Sequence, residues 1–134
     1  MKNLLRLEEL AQFALIVFVL LAAHMPWWVF ALLLIGPDIG MLGYLLNNKV
    51  GASCYNVLHH KGLAAALVFL GQFAHVSAQY DIAFGTVDEV LLFGGIILFG
   101  HASMDRIFGY GLKFGDSFHH THLGWIGKGR SEAG

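Results

Sequence analysis

The sequence predicts an all-α integral membrane protein: a single domain, residues 1–134, built as a bundle of four transmembrane helices with short loops and a cytoplasmic C-terminal tail. Three observations predict it. The chain is 57% hydrophobic and only 13% charged, about half the charged share of a soluble domain, and its mean hydropathy is +0.64. Four apolar segments, residues 4–23, 27–46, 62–79 and 87–106, each approach the roughly 20 residues that a helix needs to cross a bilayer. Finally, all eight Lys and Arg residues fall on one side of the membrane when the number of spans is four, and the positive-inside rule makes that side cytoplasmic. Both termini are then expected inside, with the protein in the cell's inner (plasma) membrane.

Span one starts behind Lys2 and Arg6 and carries Glu8, Glu9 and Gln12. The two glutamates interrupt what would otherwise look like a secretory leader, so a retained helix is expected. Glu8 and Gln12 are four apart and share a face, which should look into the bundle rather than at lipid. After "HMP", Trp27 and Trp28 open span two as part of an outer aromatic belt. Gly36 and Gly40 allow close helix approach. Within the same span, Pro37 lacks a backbone donor and frees a carbonyl of the previous turn. Next to it Asp38 lies about 12 Å from the inner end of the span at 1.5 Å per residue.

Residues 50–61, "VGASCYNVLHHK", are too polar for the membrane interior and read as a helical lead-in to span three at the interface. Span three carries Gln72, His75 and Gln79. With His24, Asp81, Asp88 and Glu89 these read as outer interfacial anchors. Span four contains Gly94 and Gly95 for packing, then His101 and Asp105 at helical i, i+4 spacing. The tail, residues 107–134, adds His119, His120 and His122 among Phe118, Leu123, Trp125 and Ile126. Those apolar residues give it a reason to pack back on the membrane surface. His122 is expected to fold back onto His101 and Asp105, using the glycines of "GYGLKFGDS" for the reversal.

Once oriented, the ionisable groups converge on one pocket at the cytoplasmic leaflet. Glu8 and Asp38 are the expected catalytic carboxylates; His59, His101, Asp105 and His122 are the expected metal ligands. Carboxylates and imidazoles without thiolates suit Zn²⁺, Fe²⁺ or Mn²⁺, and the lone Cys54 excludes an internal disulfide. A bound divalent ion would generate a nucleophile at neutral pH, which points to a metal-dependent hydrolase or oxidase. Membrane lipids are the expected surroundings and an amphiphilic small molecule the expected substrate. The net charge of −1 gives no ground for a nucleic-acid partner. Two alternatives use the same residues: a b-type haem ligated by His59 and His101, or a small proton- or cation-coupled transporter using Asp38 and Glu8. The transporter would call for a homodimer, because four helices enclose little space.

The segments "PDIGMLGYLL" (37–46), "GASCYNVLHH" (51–60), "HASMDRIFGYGLKF" (101–114) and "THLGWIG" (121–127) resemble the small bacterial four-helix membrane proteins grouped as domain of unknown function 4260. The resemblance runs over nearly the whole chain, from "LRLEEL" onward. It implies a four-helix membrane fold and brings no activity with it. It marks Glu8, Asp38, His59, His101, Asp105 and His122, and as supporting positions Tyr44, Tyr55, Asn56, Arg106, Tyr110 and Lys113.

Overall fold

The computed structural model describes residues 1–78 and 87–127. Helix α1 (Lys2–Ala22) is followed by α2 (Trp27–Ile35), which passes directly into a 3-10 helix (Gly36–Leu45). Then come α3 (Asn48–His59), α4 (Lys61–Ala78) and α5 (Val87–Phe108). In the tail, β1 (His120–Thr121) and β2 (Gly124–Trp125) pair antiparallel in a minimal hairpin. The fold is all-α apart from that hairpin. Gln79 and Asp81 of the expected outer set lie outside the described residues.

Local chemistry explains the element ends. Helix α1 stops at a Schellman turn: His24 takes a left-handed φ of 53°, its amide donates to Leu21 O at 3.0 Å, and Met25 N donates to Leu20 O at 3.0 Å. Met25 packs on the Leu20 cluster, the apolar contact that usually accompanies this turn. The second span is not one α-helix. Pro37 cannot supply an amide, and from Gly36 the chain tightens into ten residues of 3-10 helix, where side chains three apart line up. Pro37, Gly40 and Gly43 therefore form one stripe that lies against α3. A Cβ on Gly40 would stand 3.0 Å from Cys54 O, and one on Gly43 3.0 Å from Val50 O. Asn47 caps α3, accepting from Val50 N at 2.9 Å. His60 turns extended and its ring caps α4, accepting from Leu63 N at 3.1 Å. The lead-in helix expected before span three is α3.

The buried apolar core is small: Leu20, Val29, Leu33 and Ile96, with Phe13, Ile16, Val68 and Leu92 packed around it. Gly95 lets α5 close on α4, where a Cβ would stand 2.7 Å from Ala64 O. A Cβ on Gly94 would meet nothing within 4 Å among the described residues, so the packing role expected of it falls to Gly71 and Gly95. Much of the large apolar surface faces outward instead, including Phe18, Trp27, Ile35, Phe69, Phe73 and Val90. In water such a surface is a liability; against lipid tails it costs nothing.

Among the described residues, two segments are long and apolar enough to cross a bilayer, Trp27–Leu45 (19 residues) and Val87–Phe108 (22 residues). A third exists if Asn48–His59 and Lys61–Ser77, bent by 43° at their junction, are taken as one broken span. Helix α1 has the length, yet Lys2, Arg6, Glu8 and Glu9 crowd its first turns.

Candidate metal centre

The site begins with the proline. In an α-helix the carbonyl of Leu33 would be met by the amide four residues on, which is Pro37 and has no N–H. That open acceptor is taken by His101, whose Nδ1 lies 2.9 Å from Leu33 O. A carbonyl can only accept, so Nδ1 carries the proton and Nε2 presents a bare lone pair. His59 repeats the device inside α3: its Nδ1 lies 2.8 Å from Tyr55 O, one turn back. Both rings are buried, and among the described residues neither Nε2 has a hydrogen-bond partner.

Two carboxylates face these lone pairs. Asp38, third residue of the 3-10 helix, places Oδ1 3.4 Å from His101 Nε2 and 3.7 Å from His59 Nε2. Asp105, one turn after His101 on α5, places Oδ2 3.3 Å from His59 Nε2 and Oδ1 3.8 Å from His101 Nε2. One ligand atom from each of Asp38, His59, His101 and Asp105 falls within 4.8 Å of all the others. All four atoms are acceptors when the rings are neutral. Such a set is repulsive and poorly solvated unless a cation sits among them. A dication balances the two carboxylates, and borderline N/O donors suit Zn²⁺, Fe²⁺ or Mn²⁺.

The surroundings fix these ligands. Tyr55 stacks on His59 with centroids 3.7 Å apart and planes 11° apart, and its hydroxyl donates a short hydrogen bond to Asp105 Oδ2. This is the outer hydrogen bonding that orients a ligating carboxylate. The side chains of His59 and His101 are 3% and 0% exposed and that of Asp105 13%, against 36% for Asp38. The centre therefore opens on the Asp38 side. Asn56 clamps the tail to α3: its Oδ1 accepts from Lys113 N at 2.6 Å and its Nδ2 donates to Lys113 O at 2.9 Å. Lys113 is buried with its Nζ 4.0 Å from the Phe118 ring centroid, 5.0 Å from that of Tyr55 and 5.2 Å from that of Tyr110. Burial pushes the Lys113 ammonium below its ordinary pKa, partly offset by Asp105. Tyr44 packs edge-on to Phe118 at 5.3 Å.

Two expected members stand elsewhere. Glu8 is exposed, and among the described residues its hydrogen-bond partner is Gln12, whose Nε2 donates to it at 3.4 Å. The neighbouring residue Glu9 is the one turned inward, bonded to Lys61 and 3.5 Å from Arg106 Nη1. His122 does fold back with the tail, but not into the four-residue cluster. Its Nδ1 accepts from Leu112 N at 2.8 Å, and its ring packs against Gly111. Partial burial and then the Arg106 guanidinium hold its pKa below the usual histidine value. The pairing of the part-buried Glu9 and Lys61 was not anticipated from the sequence, although their types and depths were visible.

His119 and His120 serve the tail itself. His120 stacks on Trp125, centroids 4.6 Å apart, and its Nδ1 lies 2.7 Å from Asp116 Oδ2, which holds the Asp116 carboxyl below its usual pKa. His75 pairs with the buried Asp88 at 3.0 Å, while Gln72 and Glu89 are exposed. A haem between His59 and His101 meets a steric objection. Their ring centroids are 4.9 Å apart at 70°, which leaves no slot for a macrocycle, and two carboxylates share the space.

No curated protein and no solved structure matches the chain. A family model does, over residues 2–126, which contain every residue of the cluster and of its surroundings. On that match the chain belongs to the family described as domain of unknown function (DUF4260).

Proposed function

We propose that this protein is a membrane-embedded metal-dependent enzyme, hydrolytic or oxidative, that acts on an amphiphilic substrate at the cytoplasmic leaflet. The observation that carries the reading is the pair of buried, unpartnered Nε2 atoms, each fixed by an Nδ1–H bond to a backbone carbonyl and each facing two carboxylates. His59, His101 and Asp105 would hold the ion, with Asp38 beside them on the more accessible side. When bound, the ion acts as a Lewis acid and lowers the pKa of a coordinated water. Asp38, on the accessible side, is placed to take a proton there; Tyr55 holds Asp105 in its orientation.

The membrane part of the proposal is four spans with both termini cytoplasmic. Glu9 near the start of α1 meets Lys61 at the start of α4 and Arg106 at the end of α5. These three ends therefore lie at one level, as alternating crossings require. Reporter fusions after residues 25 and 48 and at the C-terminus should read out, in and in; a C-terminus outside would end the four-span reading.

Elemental analysis of the detergent-purified protein tests the centre. Wild-type protein grown with ample metal should carry close to one Zn, Fe or Mn per chain, and His101→Ala and Asp105→Asn should each lose it. Asp38→Asn should retain metal. Equal metal content in wild type and His101→Ala would refute the centre.

A further inference from the structure

One cavity lies apart from the metal centre. A space of about 600 Å³ opens between the first turns of α1, the end of α5 and the tail hairpin. None of the four clustered ligand residues lines it, so it stands or falls independently of the proposed metal.

Its polar wall is cationic. Lys2, Arg6 and Arg106 contribute positive charge, and Glu9 is the lining carboxylate. That carboxylate is already committed to Lys61 and Arg106. Among the described residues, neither Lys2 nor Arg6 has a carboxylate within ion-pair distance. His122 adds a neutral donor: with Nδ1 accepting from Leu112 N, the remaining proton is on Nε2. The other wall is apolar, with Leu5, Phe108, Leu123 and Trp125, each of them partly or largely exposed. A cavity with unbalanced cations on one side and exposed apolar side chains on the other matches an anionic head group joined to hydrocarbon.

We propose that this cavity is a binding site for an anionic amphiphile whose phosphate- or carboxylate-bearing head group meets Arg6, Lys2 and Arg106 while its apolar part lies on Phe108, Leu123 and Trp125. The cations supply charge-assisted hydrogen bonds to the head group. The tail hairpin is then a structural wall of the site, which gives the docked C-terminal segment a function that the metal centre does not require.

Native mass spectrometry of the full chain in a non-ionic detergent tests this, with short-chain phosphatidic acid, phosphatidylcholine of the same chain length, and inorganic phosphate as probes. Phosphatidic acid should bind saturably with one molecule per chain, and Arg6→Gln should weaken it about tenfold, the effect of losing one charge-assisted contact. Lys2→Gln provides a second exposed position whose change leaves the Glu9 pairs intact. Lys49→Gln, outside the cavity, should change nothing. Equal binding of phosphatidylcholine would overturn the proposal, as would an equal loss in Lys49→Gln. Displacement by inorganic phosphate at matching concentration would show that the apolar wall is not used, and would overturn the amphiphile.

Discussion

Replacing Pro37 by Ala should weaken the metal centre without touching any ligand. An alanine at this position supplies the missing amide, which competes with His101 Nδ1–H for Leu33 O. It also removes the reason for the chain to leave α-geometry at Gly36. A 3-10 helix turns about 120° per residue and an α-helix about 100°. Relaxation over the two steps from Gly36 to Asp38 would swing the Asp38 side chain by about 40°. At roughly 6 Å from the helix axis this is an arc of about 4 Å, which would carry the proposed base Asp38 off the centre and cost activity rather than metal. With the segment in α-geometry the new amide reaches Leu33 O, and His101 loses its hydrogen bond there. Loss of such an outer hydrogen bond costs about 10- to 100-fold in metal affinity, or about 1.4–2.7 kcal/mol. Competition against a chromophoric chelator measures it directly. A Pro37→Ala protein that holds metal as tightly as the wild type would refute the link from proline to carbonyl to imidazole.

Lys113→Met should keep stability within about 1 kcal/mol of wild type, because a buried charge exchanged for an apolar chain of similar volume is often neutral or stabilising and the cage of Phe118, Tyr55 and Tyr110 is apolar. Thermal unfolding in detergent checks this, and a loss above about 3 kcal/mol would mean that Lys113 has an ionic partner in the folded protein. Acidification should loosen the tail. The pKa of His122 is lowered in the folded state by burial and by Arg106, so below the unfolded value near 6.5 the unfolded segment binds more protons, and the stabilisation present at neutral pH is lost as pH falls. Protection of the Leu112 amide, its exchange rate taken relative to the base-catalysed rate of an unprotected amide at the same pH, should therefore fall on going from neutral pH to about pH 5, and His122→Gln should flatten that dependence; protection unchanged with pH in the wild type would contradict it. Gly71→Ala should destabilise by about 1–3 kcal/mol, because its Cβ would meet the backbone of α5 at Leu92 and Asp88, whereas Gly94→Ala, with nothing near it, should stay within about 0.5 kcal/mol. Equal effects in the two would mean that α4 and α5 are not in contact at Gly71.

The residues that were legible in the sequence have a common property: their spacing and their depth pointed the same way. His101 and Asp105 at i, i+4 share a face in any helix, and Pro37 beside Asp38 marked a break whatever the break's geometry. His59 sat next to the same end of the bundle in a segment already read as helical, so its arrival at the centre needed only that α3 lie beside the 3-10 helix. What the break would become was not legible. A proline leaves an open carbonyl in several geometries, and only the contacts of Gly40 and Gly43 with α3 select ten residues of 3-10 helix.

Glu8 and Glu9 show why the rest escaped. One residue along an α-helix is a rotation of about 100°, so of two adjacent glutamates at most one faces a given neighbour. The Glu8–Gln12 spacing favoured the first as the inward face. That pair exists, with Gln12 Nε2 donating to Glu8 at 3.4 Å on the exposed side, but Gln12 also accepts from Lys61 Nζ at 2.6 Å through its Oε1. Gln12 thus lies at the edge between the two faces, and its spacing to Glu8 carries no information about which side is inside. The deciding residues are Lys61 and Arg106, cations on two other helices with low exposure, and in a largely apolar setting each requires a carboxylate. Glu9 meets both. The folded positions of Lys61 and Arg106 thus select Glu9 over Glu8. The same reasoning separates His122 from the metal centre: with Arg106 close by, its ring is favoured as a neutral hydrogen-bonding group at the wall of the basic cavity, while the four acceptors around His59 and His101 are the group that calls for a cation.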